Sequence, residues 1–489
     1  TVAQSEFNDA SLTLLFPFDV TSVSMTASVT DNQFRSTMDT RMNATMMPPV
    51  WRAALPADLF TTKAAMIGDS VLAVYCASGV VDVSRNVVSV IPTASQQPLI
   101  ISNGTDRGAV SIRASPLFVQ PLAAFPIELR LVVSNNNVSW AINQTKSDNV
   151  AALVLVSAKL PPGTPPTATA YKYIALIESN RLNISSVANS STPNYARGLY
   201  LNHRLANVTT NLTIVGNELT AVARRGFAMG MDLLFSGTTT PLTLSITGNT
   251  IISDTSAAGP YSTYCASVSL LDVSFAAPLT VAFNVMKAIS VGKAIAMVLS
   301  VYKVTSPMVA FSNNEIALTA LGSHFSSYAL EFTSSAPMDL HVSPVNVSGN
   351  TVDIQDSSDG AVVYFDAGVF SSAAPGPAGT AALSVADNTI RAKEAPSAGA
   401  RFRTIGFYDP SPMAFDLRLG SVVEVVGNRF NVSTQSAGPC HLLAHVPPPA
   451  GISLSDASVL RFERNTIVSV ADGVSIFGAE LPWSSATTL

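Results

Sequence analysis

The chain has 489 residues, a formal net charge of −5, 12% charged residues and 47% hydrophobic ones. Charge this dilute, with no basic tract, argues against nucleic-acid binding. The longest apolar stretch, 279–304, is broken by Asn284, Lys287 and Lys293 and makes a poor membrane span. Cys76, Cys265 and Cys440 lie far apart, which excludes a disulfide framework; they read as buried small apolar residues, with one long-range disulfide left open.

Residues 1–60 are the least regular part of the chain, with Pro48, Pro49, Trp51 and several methionines. They are expected to form an irregular or covering segment. Within it Asn32, framed by Val29 and Phe34, is a weak copy of the repeat that fills the rest of the chain and a candidate first rung.

From 61 to 489 one pattern recurs: apolar, any, apolar, any, any, Asn, any, apolar. Its asparagines are Asn86, Asn136, Asn180, Asn217, Asn249, Asn284, Asn314, Asn350, Asn388, Asn428 and Asn465. Three residues before each stands Val83, Val133, Ile177, Ile214, Ile246, Val281, Phe311, Val347, Val385, Val425 or Phe462. Two after it stands Val88, Val138, Leu182, Leu219, Ile251, Met286, Ile316, Val352, Ile390, Phe430 or Ile467. A period of 30–50 residues marks a solenoid, in which each unit buries its apolar face against its neighbours.

The unit that starts at Pro241 shows how. Leu242, Leu244 and Ile246 alternate with Thr243 and Ser245, which is strand periodicity. Gly248 and Asn249, the residue types that best tolerate left-handed backbone angles, come next as a bend. Ile251 resumes an apolar run, 253–261 reads as a polar loop, and Ala266, Val268, Leu270 and Val273 form a third strand. Three strands, one Asn bend and one variable loop make one rung of a right-handed parallel β-helix of eleven to twelve rungs. The asparagines are expected to hydrogen-bond into an internal ladder. An antiparallel sandwich with Asn-Gly hairpins is the alternative, but hairpins do not need the same apolar frame around every Asn.

Asn-x-Ser/Thr sequons occur at Asn43, Asn103, Asn137, Asn143, Asn183, Asn189, Asn207, Asn211, Asn346 and Asn431. The chain has 28 asparagines; none of the eleven in the repeat is a sequon, and the other seventeen carry all ten. That division predicts an N-glycosylated secretory-pathway protein, extracellular or at the cell surface.

Chemistry is sparse. The Asn-Thr-Asp, Asp-Asp, Gly-His-Gly and Arg-Ile-Lys motifs of polygalacturonase-type hydrolases do not occur. Asp353, Asp356 and Asp359 could offer oxygen ligands to a hard cation, though such a run more often forms a solvated loop. His441 and His445, beside Cys440, are four apart in what reads as a loop, without the Glu of a zinc-protease motif. No catalytic residue, cofactor site or metal site is assigned. The Pro-rich stretches 160–167, 371–380 and 446–451 read as stiff exposed loops. A glycan-binding module would need aromatic platforms, and Trp51, Trp140 and Trp483 are the only tryptophans.

The segments 212–219 (LTIVGNEL), 244–251 (LSITGNTI) and 423–430 (VEVVGNRF) resemble the repeats of very large kinetoplastid surface proteins of the dispersed gene family. The resemblance covers 80–470. It implies a β-helical surface glycoprotein with an adhesive or coat role, and it carries over no catalytic residues. Those proteins are larger and have a membrane-anchored end. The present chain shows no anchor, signal or cap at Thr1 or Leu489, so it reads as a processed chain or a segment of a longer one.

The residues therefore predict a non-enzymatic extracellular protein with a structural or adhesive role, a filament or coat subunit being one form of it. Its partners would be copies of itself or other surface proteins, through end-to-end polymerisation, and its modification N-linked glycan. The competing class is a polysaccharide lyase or hydrolase, or a glycan-binding module, built on the same fold.

Overall fold

The structure is a computed structural model. It describes residues 1–8, 12–15, 26–36, 70–76, 79–91, 107–114, 128–142, 149–157, 171–186, 194–203, 208–236, 241–256, 261–305, 309–322, 325–334, 338–339, 344–366, 370–372, 381–394, 401–407, 415–417, 420–433, 440–445, 452–454, 458–469 and 474–477. It is a parallel β-helix of two compact units, Thr1–Thr240 and Pro241–Leu489. Each unit has three parallel sheets, and every coil adds one strand to each. The first unit has six coils and the second seven, and the second also carries a four-stranded sheet of short strands, Met338–Asp339, Phe370–Ser372, Phe415–Leu417 and Ile452–Leu454.

There are thus thirteen coils, not eleven or twelve. Residues 1–60, expected to be irregular, supply strands to two of them: Val2–Ala3, Glu6–Asn8 and Leu12–Leu15 to the first, Thr26–Thr30 and Gln33–Ser36 to the second. Asn32 is a full member of the repeat, wholly buried between Val29 and Phe34. The first coil escapes the repeat pattern because it carries Ser5 where the others carry Asn. Its frame is intact: Val2 pairs with Val29 and Phe7 with Phe34.

The asparagines form the expected ladder within each unit. The side-chain oxygen of each accepts two bonds from the preceding one, from its backbone N–H and from its amide. The amide-to-oxygen distances are 2.9–3.1 Å for Asn32→Asn86→Asn136→Asn180→Asn217 and for Asn249→Asn284→Asn314→Asn350→Asn388→Asn428→Asn465. The second amide hydrogen goes to the carbonyl of the residue three before the preceding asparagine, as in Asn136 to Val83 and Asn314 to Val281. The apolar position before each Asn therefore supplies a side chain to the core and a carbonyl to the ladder. A buried amide satisfied at every atom is what makes so polar a residue tolerable in an apolar interior.

The bend differs from expectation in one respect. The left-handed residue is the one before the asparagine, or before Ser5 in the first coil, with φ of 53–70° throughout. In the second unit it is Gly248, Phe283, Asn313, Gly349, Asp387, Gly427 and Arg464. The asparagine itself is spared because its own N–H must meet the next oxygen. Glycine serves where coils crowd: a Cβ on Gly349 would stand 2.5 Å from Asn313 Oδ1. Phe283, a bulky residue in this region, is 65% exposed.

The third sheet contains a feature that periodicity conceals. Pairing skips one residue in strand after strand, for example between Ala151↔Arg197 and Leu153↔Leu199, and between Ile295↔Tyr328 and Met297↔Leu330. The skipped residues are buried and mostly small: Ala109, Ala152, Gly198 and Gly230 in the first unit, then Cys265, Ala296, Ala329, Val362 and Thr404 in the second. Cys265 is therefore the small buried residue its sequence context suggests. A Cβ on Gly198 would stand 2.7 Å from the Gly230 carbonyl oxygen. Gly198→Ala is expected to destabilise the first unit by about 1–3 kcal/mol through overpacking, read as a lower urea midpoint; an unchanged midpoint contradicts the close approach. In the second unit the polar stretch 253–261 is shorter as a loop than expected, because the strand Thr250–Thr255 continues through Ser253. Buried Thr255, Thr263 and Ser290 there share hydroxyl bonds of 2.6–3.0 Å.

Candidate functional site

The three sheets differ in what they show to solvent. Outward residues of the second sheet are largely exposed, those of the first half-buried, and those of the third largely buried. Five sequon asparagines fall on described residues. Asn137, Asn183 and Asn431 lie on strands of the second sheet and are exposed. Asn211 and Asn346 lie on the first sheet, exposed and half-buried. All five alternate with buried neighbours, so their amides point away from the core. Asn43, Asn103, Asn143, Asn189 and Asn207 lie outside the described residues. The ladder asparagines form the opposite population: Asn86, Asn284 and Asn428 are wholly buried, and of the eleven only Asn465 is half-buried.

The third sheet of the second unit concentrates the ionisable chemistry. Its strands Ala294–Thr305, Ser326–Ser334, Asp359–Asp366 and Arg401–Phe407 bring together Lys293, Tyr328, Glu331, Asp359, Tyr364 and Arg403. The Tyr328 and Tyr364 rings stack at 4.0 Å and 6°. Arg403 lies over Tyr364 at 5.6 Å and ion-pairs with Asp359, which also accepts the Tyr328 hydroxyl at 3.2 Å. Lys293 lies 5.7 Å over Tyr328 and 3.5 Å from Glu331. Burial pushes the Glu331 carboxyl up, against the pull of Lys293, and raises the Tyr328 and Tyr364 phenols. Gly406 leaves the room: a Cβ there would stand 2.9 Å from the Tyr364 ring and 3.2 Å from Arg403 Nε.

The first unit repeats the theme with different residues. Arg197 bonds Asp232 at 2.5 Å and lies 4.7 Å over Tyr195 and 5.2 Å over Tyr200. An arginine between aromatic faces with one carboxylate is a compact, neutral way to bury charge. Its removal by halves is costly. Asp232→Asn is expected to cost about 3–5 kcal/mol, because Arg197 is then buried without its counter-charge; pairing it with Arg197→Met should restore most of the loss. Equal thermal stability of the single variant and the wild type would contradict a buried pair.

The remaining sequence candidates have structural roles or stand apart. The Asp353–Asp359 run is not a solvated loop: it spans the end of the strand Thr351–Ser357 and the start of Asp359–Asp366. Asp359 is committed to Arg403 and Tyr328, and Asp353 accepts a bond from Gln355. His441 and His445 sit on a strand, Cys440–His445, rather than in a loop. Among the described residues no three His, Cys, Asp or Glu side chains come together as a metal site. Cys76 and Cys265 are buried and no disulfide joins them to each other; burial raises the Cys76 thiol to about 12 and Cys265 likewise upward. Trp140 is half-buried and pairs with Val90 and Ile184 of the interior. Of the Pro-rich stretches, only 371–372 are described, within Phe370–Ser372.

Sequence reasoning misses the Arg–Tyr–Asp clusters. Their ion pairs join residues 35 and 44 apart in sequence and share no motif; the register of the third sheet brings them together. Among the described residues no helix is long and apolar enough to cross a membrane. No protein-family profile, curated protein or solved structure matches this chain.

Proposed function

We propose that this chain is a non-catalytic glycoprotein of the cell surface or extracellular space, with a structural or adhesive role. One observation carries the reading: the asparagines of the ladder are never in a sequon, and the sequon asparagines, wherever described, point outward. Interior and exterior asparagines are thus separated by the same third residue that glycosylation reads. The ladder supplies rigidity, and the open faces of the first and second sheets supply contact area and glycan sites. The likeness to kinetoplastid surface-protein repeats agrees with this reading and stays part of the proposal. The test is location: antibodies raised against the chain should label intact, unpermeabilised cells and detect a band that shortens with an N-glycan-removing amidase. Labelling only after permeabilisation, with no shift, would overturn it.

A second reading, a polysaccharide-active enzyme, draws on Glu331. It is a buried carboxyl whose pKa is raised first by burial and in part by the charge of Asp366 on the neighbouring strand, the direction a general acid needs. Release of reducing ends or unsaturated products from a polysaccharide panel, lost in Glu331→Gln, would establish it in place of the first.

A further inference from the structure

Several arginines on the outer strand faces are answered by a carboxylate. Arg130 holds Glu128, Arg181 holds Glu218 and Arg461 holds Glu424, at 3.1–3.3 Å. The second sheet of the second unit departs from this. Arg391, Lys393 and Arg429 are all exposed there, and none has an ion-pair partner among the described residues.

The strand register puts the three together. Arg391 and Lys393 stand on the strand Thr389–Glu394, two apart and on one face, so their Cα atoms lie about 7 Å from each other. Arg429 opens the next strand, Arg429–Ser433, and pairs with Thr389. It therefore stands one coil on, about 5 Å across the sheet, and two residues to the side of Arg391. Little on this face offsets the charge. Asp353 pairs with Arg391 from the coil before; it is half-buried and accepts the Gln355 amide at 3.3 Å. The bend residues beside the patch, Asp387 and Arg464, add one charge of each sign. A net charge of −5 thus hides a local excess of cations.

The surroundings suit a sugar chain. Thr389 and Ser433 point outward beside the cations, with hydroxyls that can both donate and accept. The outward residues of Thr351–Ser357, Thr389–Glu394 and Arg429–Ser433 include no aromatic ring to stack a base and no large apolar side chain to enter a lipid surface.

We propose that this face of the second sheet, around Arg391, Lys393 and Arg429, binds a linear sulfated polysaccharide. Sulfate groups meet the three cations, and sugar hydroxyls meet Thr389 and Ser433. The proposal gives the surface reading a partner class and rests on it for its biological sense. Binding in solution is measured without regard to location. A surface protein that ignores such a chain sinks only this inference, and an internal protein that binds it sinks only the surface reading.

The test is titration of the 489-residue protein with heparin at rising sodium chloride. All proteins carry Asn431→Gln, because a glycan there would stand beside Arg391. Binding should be measurable at low salt and fall steeply as salt rises. The triple variant Arg391→Gln/Lys393→Gln/Arg429→Gln should weaken it about tenfold or more and flatten its salt dependence. Lys287→Gln, which removes an exposed cation three coils earlier on the same sheet, should change it little. The substituted side chains are exposed, so the circular dichroism of every variant should match the parent. No binding at low salt would overturn the proposal, as would binding that the triple variant retains. Equal binding to desulfated heparin or to duplex DNA would overturn it too, because the face would then recognise something other than a sulfated sugar.

Discussion

Asn314→Ala is expected to cost about 3–9 kcal/mol, the sum of the groups it strands. The side chain makes four hydrogen bonds: it accepts from the Asn284 N–H and amide and donates to the Val281 carbonyl and to Asn350 Oδ1. Its loss orphans three buried groups, two donors on Asn284 and one carbonyl, each worth about 1–3 kcal/mol when left unpaired. A methyl group returns little of this. Asn465→Ala removes the same kind of contacts at a half-buried position, where water replaces them, and is expected to cost about 1 kcal/mol. Denaturant midpoints of the two variants should therefore separate clearly. Equal, small losses would mean that the ladder is a by-product of coil stacking and holds nothing together.

Acid lability centred on His203 is expected to be comparable in size. The imidazole is wholly buried at the edge of the first unit's third sheet, between Tyr173 at 5.2 Å and Phe235 at 5.8 Å. Nε2 shares a 2.8 Å hydrogen bond with Thr210, and Nδ1 has no partner among the described residues. Burial lowers its pKa from 6.5 to about 3. The unfolded chain therefore binds a proton that the folded chain refuses between these values. Stability is complete above pH 6.5 and falls as the pH drops toward 3, by about 4–5 kcal/mol in all. Glu331 acts with the opposite sign: its raised pKa favours the fold below the usual carboxylate range and withdraws that support as the pH rises through the folded value. In His203→Phe the melting temperature between about pH 6.5 and 4 should be much flatter than in the wild type. An equally steep variant would place the acid sensitivity elsewhere.

The scaffold is legible in the sequence because it is local. An Asn with apolar residues three before and two after it specifies one bend completely, and the specification is repeated. The pattern fails at Ser5 because a search for Asn passes over a serine that holds the same ladder position. It also leaves the left-handed residue one position out. Gly, Asp, Ser, Arg and Phe all stand before the Asn, so composition hides a conformation that the hydrogen bonding of the Asn imposes. The small residues at the corner of the third sheet are hidden for another reason. Ala152, Gly198 and Cys265 are skipped by the pairing, and period-two alternation breaks where they stand. The Arg403 and Arg197 clusters are assembled by stacking between coils, which no single stretch of chain records.

Outward asparagines are held to carry the glycans of a secretory-pathway protein, while inward ones carry the fold. Site-resolved glycopeptide mass mapping of the native protein decides this. Asn137, Asn183, Asn211 and Asn431, exposed on open strand faces, are expected to be occupied. Unmodified asparagine at all ten sequons would contradict that division of roles.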